Sequence, residues 1–238
     1  AVAANNIHMV RLLLTHPDID PNISDSDGAT PLCVACRENR HEIVQLLVDD
    51  RRTDLNKQIL HSESSPLWLA ATRNSVECVK ILLDHEDESD SDELKRRLDV
   101  NVGNFAGICS LQIAVMNGHQ KVVQLLLADP RVDVNRRNKQ GKTALCVAVR
   151  YDSLHCMRML LNHEDVDVNA CDRDGFTPLM HGIENHGVVG VIIMLLTDKR
   201  IDVNQTNVRG ETALWRASFL MSAVNIRLLM AHSGIDAS

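Results

Sequence analysis

Aromatic residues are scarce: three Phe, two Trp and one Tyr make up 3% of 238 residues. At 45% hydrophobic the chain still has enough apolar side chains for a core, which excludes a fully disordered polypeptide. That core must be built from Leu, Val, Ile and Ala, which suits stacked helices better than an aromatic-rich β-sandwich or barrel. Positive charge is lacking too, and a formal net charge of −7 argues against a general nucleic-acid binder. The seven cysteines are odd in number and scattered through a chain too long to need disulfide staples. A reducing, intracellular compartment, cytoplasmic or nuclear, is therefore expected. No basic-plus-apolar segment opens the chain, and its longest apolar run, 188–196, is about half a membrane span. No membrane insertion is expected.

What the sequence has is a repeat. A pattern of apolar residue or Thr, Asp, any residue, Asn ends at Asn22, Asn56, Asn101, Asn135, Asn169 and Asn204, and a related stretch closes on Ser238. The steps are 34, 45, 34, 34, 35 and 34 residues. Ten or eleven residues after each Asn comes a second marker, of which Thr30-Pro31-Leu32, Ser65-Pro66-Leu67 and Thr177-Pro178-Leu179 are the fullest versions. A Gly stands four before its Leu (Gly28, Gly107, Gly141, Gly175, Gly210), with Glu63 in that place in the second unit. A third marker is an aliphatic triplet such as Leu12-Leu13-Leu14 or Leu125-Leu126-Leu127, predicted to end the second helix of each unit.

These three phased markers closely resemble the ankyrin repeat family, and the resemblance covers the whole chain. It implies an all-α solenoid of stacked helix-turn-helix units joined by short β-hairpin turns. Thr caps the first helix, Pro fits its first turn, and Gly supplies turn geometry that a Cβ opposes. Ala35, Ala70, Ala114, Ala148 and Ala217 allow close helix approach, and Gly182 stands in that place in the fifth full unit. The array divides into a partial repeat 1–24 and full repeats 25–57, 58–102, 103–136, 137–170, 171–205 and 206–238, with an acidic insertion at 84–97. The family's usual His after the Leu is absent; Cys33, Trp68, Gln112, Cys146, Met180 and Trp215 stand there. Neither end carries a polar capping repeat, so an excerpt of a longer array, monomeric in itself, is expected.

Catalytic and metal look-alikes fail on their spacing. Gly141-Lys142-Thr143 resembles the end of a phosphate-binding loop, but Arg136 stands where that loop needs Gly. Asp25-Ser26-Asp27-Gly28 resembles a calcium loop, but Ile23 and Val34 occupy two ligand positions. Cys33 and Cys36 have no second pair to complete a zinc site. No enzyme activity, metal or cofactor is expected.

The loops after the second helices alternate strictly. One series reads His16, Asp50, His85, Asp129, His163, Asp198, His232, and two residues further on come Asp18, Arg52, Asp87, Arg131, Asp165, Arg200, Gly234. Equivalent places in stacked repeats are neighbours, so the pattern predicts a ladder in which each Arg lies between the Asp residues of adjacent repeats. A proton-sensing role for the His–Asp series is the alternative. Ser89 and Ser91 lie in an acidic context that acid-directed kinases favour, and phosphorylation there would add negative charge.

The resemblance also implies where a partner binds: hairpin tips and first helices line a concave groove that receives a protein segment. The matching positions are Phe105, Ile108 and Met116, then Lys139, Lys142, Arg150 and Tyr151, then Arg173 and Phe176, set against Asp174 and Glu184. Phe219 and Leu220 match in the last unit. Aromatic and Arg side chains are the usual interface anchors, and the basic residues favour an acidic segment with apolar anchors. The expectation is a protein-interaction scaffold with no nucleic-acid partner. The alternative is a sensing or targeting segment of a larger enzyme, receptor or channel. The resemblance further implies hydroxylation of Asn101, Asn135, Asn169 and Asn204, although side-chain hydrogen bonding within their own turns is the expected role of these residues.

Overall fold

The computed structural model describes residues 1–85, 97–185 and 189–236. Ser89, Ser91 and most of the acidic insertion lie outside them. Two compact units are present, 1–132 and 133–238.

The first unit holds α1 (Ile7–Leu14), α2 (Pro31–Arg37), α3 (His41–Asp49), α4 (Pro66–Thr72), α5 (Val76–Asp84), α6 (Ser110–Met116) and α7 (Gln120–Ala128). The second holds α8 (Ala144–Arg150), α9 (Leu154–Leu161), α10 (Pro178–Glu184), α11 (Val189–Leu196), α12 (Ala213–Phe219) and α13 (Ala223–Met230). Each unit has two layers. The first helices of successive repeats stack on one another, α2 on α4 on α6 and α8 on α10 on α12. The second helices stack alongside, α1 on α3 on α5 on α7 and α9 on α11 on α13.

Local chemistry sets the helix starts. Thr30 Oγ1 accepts from the Cys33 N–H at 3.2 Å, Ser65 Oγ from Trp68 at 3.2 Å and Thr177 Oγ1 from Met180 at 3.2 Å. In the third full repeat, where Cys109 holds the cap position, Gln112 Oε1 accepts the Cys109 N–H instead, at 3.2 Å. The Leu of the second marker (Leu32, Leu67, Leu111, Leu145, Leu179) is fully buried, as are the close-packing Ala residues. Each such Leu contributes about 1.5–3 kcal/mol by leaving water.

The expected short hairpin turns are present. Among the described residues the single bridge is Gly103 with Cys109. The turns close on backbone pairs such as Asn138 N–H to the Lys142 carbonyl and Asp172 N–H to the Phe176 carbonyl, both 3.0 Å. Gly28, Gly107, Gly141, Gly175 and Gly210 take φ of 73–81° in these turns. Glu63 adopts φ 51° in their place, a left-handed conformation that a side chain disfavours.

The exit loops correct two expectations. Each Arg pairs within its own loop: Arg52 with Asp50 at 2.7 Å, Arg131 with Asp129 at 2.5 Å and Arg200 with Asp198 at 2.7 Å. Among the described residues no bond joins Arg52 to Asp18 or Arg200 to Asp165, and Asp87 lies outside them. The Nη2 that bonds the Asp carboxylate also donates to a carbonyl at the end of the preceding second helix. Arg52 donates to Leu14 at 2.7 Å, Arg131 to Leu83 at 2.7 Å and Arg200 to Leu161 at 2.6 Å. A helix C-terminus leaves four carbonyls without intrahelical partners and carries partial negative charge, so it is a better acceptor for Arg than a solvated Asp18 or Asp165. The second correction concerns the Asn residues. Inside the motif the Asp holds the turn, as Asp133 Oδ1 does by accepting the Asn135 N–H at 3.0 Å. The Asn side chain instead bridges to the next repeat: Asn135 donates to the Asp165 carbonyl at 2.7 Å and accepts the Asp167 N–H at 2.8 Å. Asn169 does the same with Arg200 and Asp202, both at 2.8 Å.

A polar and aromatic network in the second unit

The fourth position of each first helix breaks the repeat. It holds Val34, Leu69 and Ile113 in the first unit, all buried. In the second unit it holds Val147, also buried, and then His181 and Arg216, whose side chains are each only 12% exposed. Placing ionisable groups in an aliphatic position costs free energy unless they are paired, and both are.

His181 bonds through Nε2 to Asp172 Oδ2 at 2.9 Å. An ionised carboxylate only accepts, so Nε2 carries the proton and Nδ1 of the neutral ring is bare. Asp172 is buried in the hairpin that leads into α10, and its other oxygen accepts the backbone N–H groups of Asp174 at 3.1 Å and Phe176 at 3.0 Å. Asn138 holds its own hairpin in the same way, through Gln140 at 2.9 Å and Lys142 at 3.0 Å. An Asx residue is thus the rule at this position, and the added His bond is the novelty. The His181 pKa is pushed below its ordinary value, first by burial and then by the Lys142 charge. The Asp172 carboxylate opposes this shift, and Arg150 adds to it.

Arg216 joins Glu184 of α10, whose Oε1 accepts from Nε at 2.6 Å and also from Nη2, to Glu211 of its own hairpin at 3.2 Å. Glu211 also accepts from Asn207 Nδ2 at 2.7 Å. Aromatic rings surround the guanidinium: it lies 5.4 Å from the Phe176 centroid, 5.8 Å from Trp215 and 5.5 Å from Phe219. Trp215 and Phe219 stack at 5.3 Å, and Phe176 sits 5.6 Å from the His181 ring.

Of the positions singled out in the sequence, Phe176 lies against His181, and the charges of Lys142 and Arg150 act on its ring. Lys139 and Arg173 stand exposed on the hairpins, and Tyr151, 48% exposed, caps α8. Phe105, Ile108 and Met116 belong to the first unit, with Phe105 exposed at a hairpin and the other two half-buried. Glu184, expected to face a partner, is committed to Arg216. Sequence reasoning missed His181 and Arg216, although a column-by-column comparison of the fourth helix position would have found both. Among the described residues no cluster of His, Cys, Asp and Glu is placed to hold a metal. No helix among them is long and apolar enough to cross a membrane.

The sequence profile described as Ankyrin repeats (3 copies) matches residues 1–59, 52–138 and 111–207. The human transient receptor potential cation channel subfamily A member 1 is 33% identical over 132 residues, covering 53% of this chain and 11% of the channel. The Drosophila melanogaster transient receptor potential channel pyrexia is 33% identical over 121 residues, covering 50% of this chain and 11% of that protein. The chain thus spans about a tenth of the length of these relatives. Among solved structures, the ankyrin repeat domain of Bcl-3, a member of the IkappaB protein family, superposes with a TM-score of 0.84 at 26% identity, over 97% of this chain and 96% of that one. The repeat periodicity, the capped first helices, the paired helix layers and these matches lead to one assignment: the chain belongs to the ankyrin repeat family.

Proposed function

We propose that this chain is a non-catalytic scaffold that binds an acidic protein segment with apolar anchors on the face formed by hairpins and first helices. Ankyrin repeats are in general protein-interaction modules. The observation that carries the finer reading is the His181–Arg216 network: two aliphatic positions of the repeat are given to paired ionisable groups beside exposed aromatic rings. Departures from a fold's own pattern concentrate where function requires them. In the second unit Lys142 and Arg150 supply positive charge that acts on His181, which Phe176 lies against, and Lys139, Tyr151 and Arg173 are further proposed contacts; in the first unit the proposed contacts are Phe105, Ile108 and Met116. The test is affinity capture with the intact chain against a Phe105→Ala/Tyr151→Ala/Phe176→Ala variant. We expect loss of the principal partner; an unchanged set of partners would remove the assignment.

A second reading has the array serving as a sensing or targeting segment of a larger protein. Its support is that two relatives are channels of which the matching region is a tenth. Hydroxylation of Asn101, Asn135, Asn169 and Asn204 remains part of the proposal. Each of these side chains donates to the next exit loop (Asn101 to Arg131 at 2.7 Å, Asn204 to Gly234 at 2.8 Å), so modification requires that junction to open.

A further inference from the structure

The hairpin tips of the first unit differ in charge from those of the second. In the second unit the tips expose Lys139, Arg173 and Arg209 against Asp174. In the first they expose Asp25, Asp27 and Glu63, and no Lys or Arg lies within the hairpins 25–29, 59–64 and 104–108. Lys57, just outside the second of these, donates to the Asn22 carbonyl at 2.8 Å. Asp25 Oδ1 accepts the N–H groups of Asp27 and Ala29 within its own turn, at 3.0 and 2.9 Å. The Asp27 and Glu63 carboxylates have no ion pair among the described residues. The hairpin 59–64 is one residue longer than its two neighbours, each of the three being closed by a backbone bond of 3.0 Å. At its tip Leu60 is 73% exposed, and Phe105 on the next hairpin is 58% exposed. The three hairpins are contiguous. A Cβ on Gly28 would lie 2.7 Å from the Leu60 Cβ, and the Phe105 N–H donates to the Ser62 carbonyl at 3.1 Å. Two large apolar side chains thus stand in water on one strip, beside carboxylates that nothing in the strip neutralises. An apolar patch with a charged rim is the usual form of a protein-binding surface.

We propose that this strip of the first unit takes an extended protein segment in which Lys or Arg stands beside an apolar residue. The apolar side chain covers Leu60 and Phe105, and the basic groups reach Asp27 and Glu63. The proposal rests on the reading of Phe105 as a contact, and it assigns the first unit a basic stretch where the second takes an acidic one. Charge supplies the selection. A basic segment is attracted to the first unit's tips and repelled by Lys139, Arg173 and Arg209, whereas an acidic segment meets the reverse. The longer hairpin then has a use: it carries Leu60 outward, while Glu63 adds a carboxylate where the other five hairpins have Gly.

The test is fluorescence anisotropy of the intact chain with three labelled peptides of equal length, containing Lys and Leu, Lys and Ser, or Glu and Leu. The Lys–Leu peptide is expected to bind about tenfold tighter than the Lys–Ser peptide, which shares only the attraction to an acidic chain. Leu60→Ser/Phe105→Ser removes that difference. Asp27→Asn/Glu63→Gly, which restores the glycine of the other hairpins, weakens Lys–Leu binding roughly threefold to tenfold at low salt and less at high salt. All four side chains are exposed, and thermal melts followed by circular dichroism check that both variants stay folded. Leu60→Ser alone, at the hairpin tip, serves if the double variant does not. Equal affinity for the Lys–Leu and Lys–Ser peptides, or unchanged Lys–Leu binding in both variants, overturns the proposal. Failure of the acidic reading shows separately, as a Glu–Leu peptide that does not bind or that binds Tyr151→Ala/Phe176→Ala as well as the parent.

Discussion

The two units are built from one repeat but fill the fourth position of their first helices differently. In the first unit Val34, Leu69 and Ile113 continue the aliphatic core up to the hairpins. In the second, only Val147 does so, and the next two repeats carry His181 and Arg216 with buried carboxylate partners. An aliphatic side chain tolerates a neighbour of similar shape, whereas a buried charge tolerates only its own partner. The first unit's face is therefore fixed by packing and the second's by pairing.

Breaking the pairing has the largest expected effect. Arg216→Leu makes the second unit's position like Leu69 but leaves Glu211 buried and Glu184 half-buried without their counter-charge. A loss of about 2–4 kcal/mol is expected in urea unfolding. Adding Glu211→Ile, the residue type that Ile108 supplies in an earlier repeat, recovers most of it. A single variant as stable as the parent would show that the pair is dispensable, and the contrast between the units would fail.

The exit loops offer a smaller contrast of the same kind within each unit. Arg131 holds Asp129 and the end of α5 together, while Asp165, at the equivalent place two residues past His163, is exposed. Arg131→Ala is expected to lose about 1–2 kcal/mol, after allowance for its partial exposure to solvent. Asp165→Ala stays within about 0.5 kcal/mol of the parent. The Arg131 bond also holds the Asp129 carboxyl below its ordinary range. A depressed carboxylate stabilises the fold above the unfolded value, near 3.8, and that stability is lost as pH falls through the folded value. Asp129→Asn accordingly flattens the acid limb of the stability profile below about pH 4. An unchanged limb would place the stabilising interaction elsewhere.

The architecture was legible because a repeat states its rules several times. The markers at Thr-Pro-Leu, the turn Gly and the Asp-x-Asn motif each have one physical role, and repetition separated that role from chance. The exit loops were legible only as an alternation. Sequence spacing put Arg131 near acidic neighbours, but it counted charged side chains and overlooked the carbonyls of a helix end, which need a donor more than a solvated carboxylate does. The site was half legible. Lys142, Arg150 and Phe176 came from family positions, while His181 and Arg216 were passed over because a charged residue in a buried column has no periodic signature of its own. What assigns them is the partner, and Asp172 and Glu184 lie far enough away in sequence that only the fold brings them together.

Gly182 gives the finest test of whether α10 is built around its site or around its core. Ala35, Ala70, Ala114, Ala148 and Ala217 fill the equivalent position elsewhere and are fully buried. A methyl group added at Gly182 would meet side-chain atoms of Ile192, Val149 and Val191 at 3.6 Å, an ordinary contact distance. There is room, so packing does not explain the glycine. Gly182→Ala removes backbone freedom from the unfolded chain and adds buried apolar surface, so a gain of about 0.5–1 kcal/mol is expected in thermal unfolding. A loss would mean that α10 packs more closely than its neighbours do. A gain accompanied by weaker binding of an acidic peptide would instead tie the glycine to His181 beside it: the second unit would then keep a looser helix under its ionisable pair, and the first unit, with Ala35, Ala70 and Ala114 under aliphatic residues, would have no use for one.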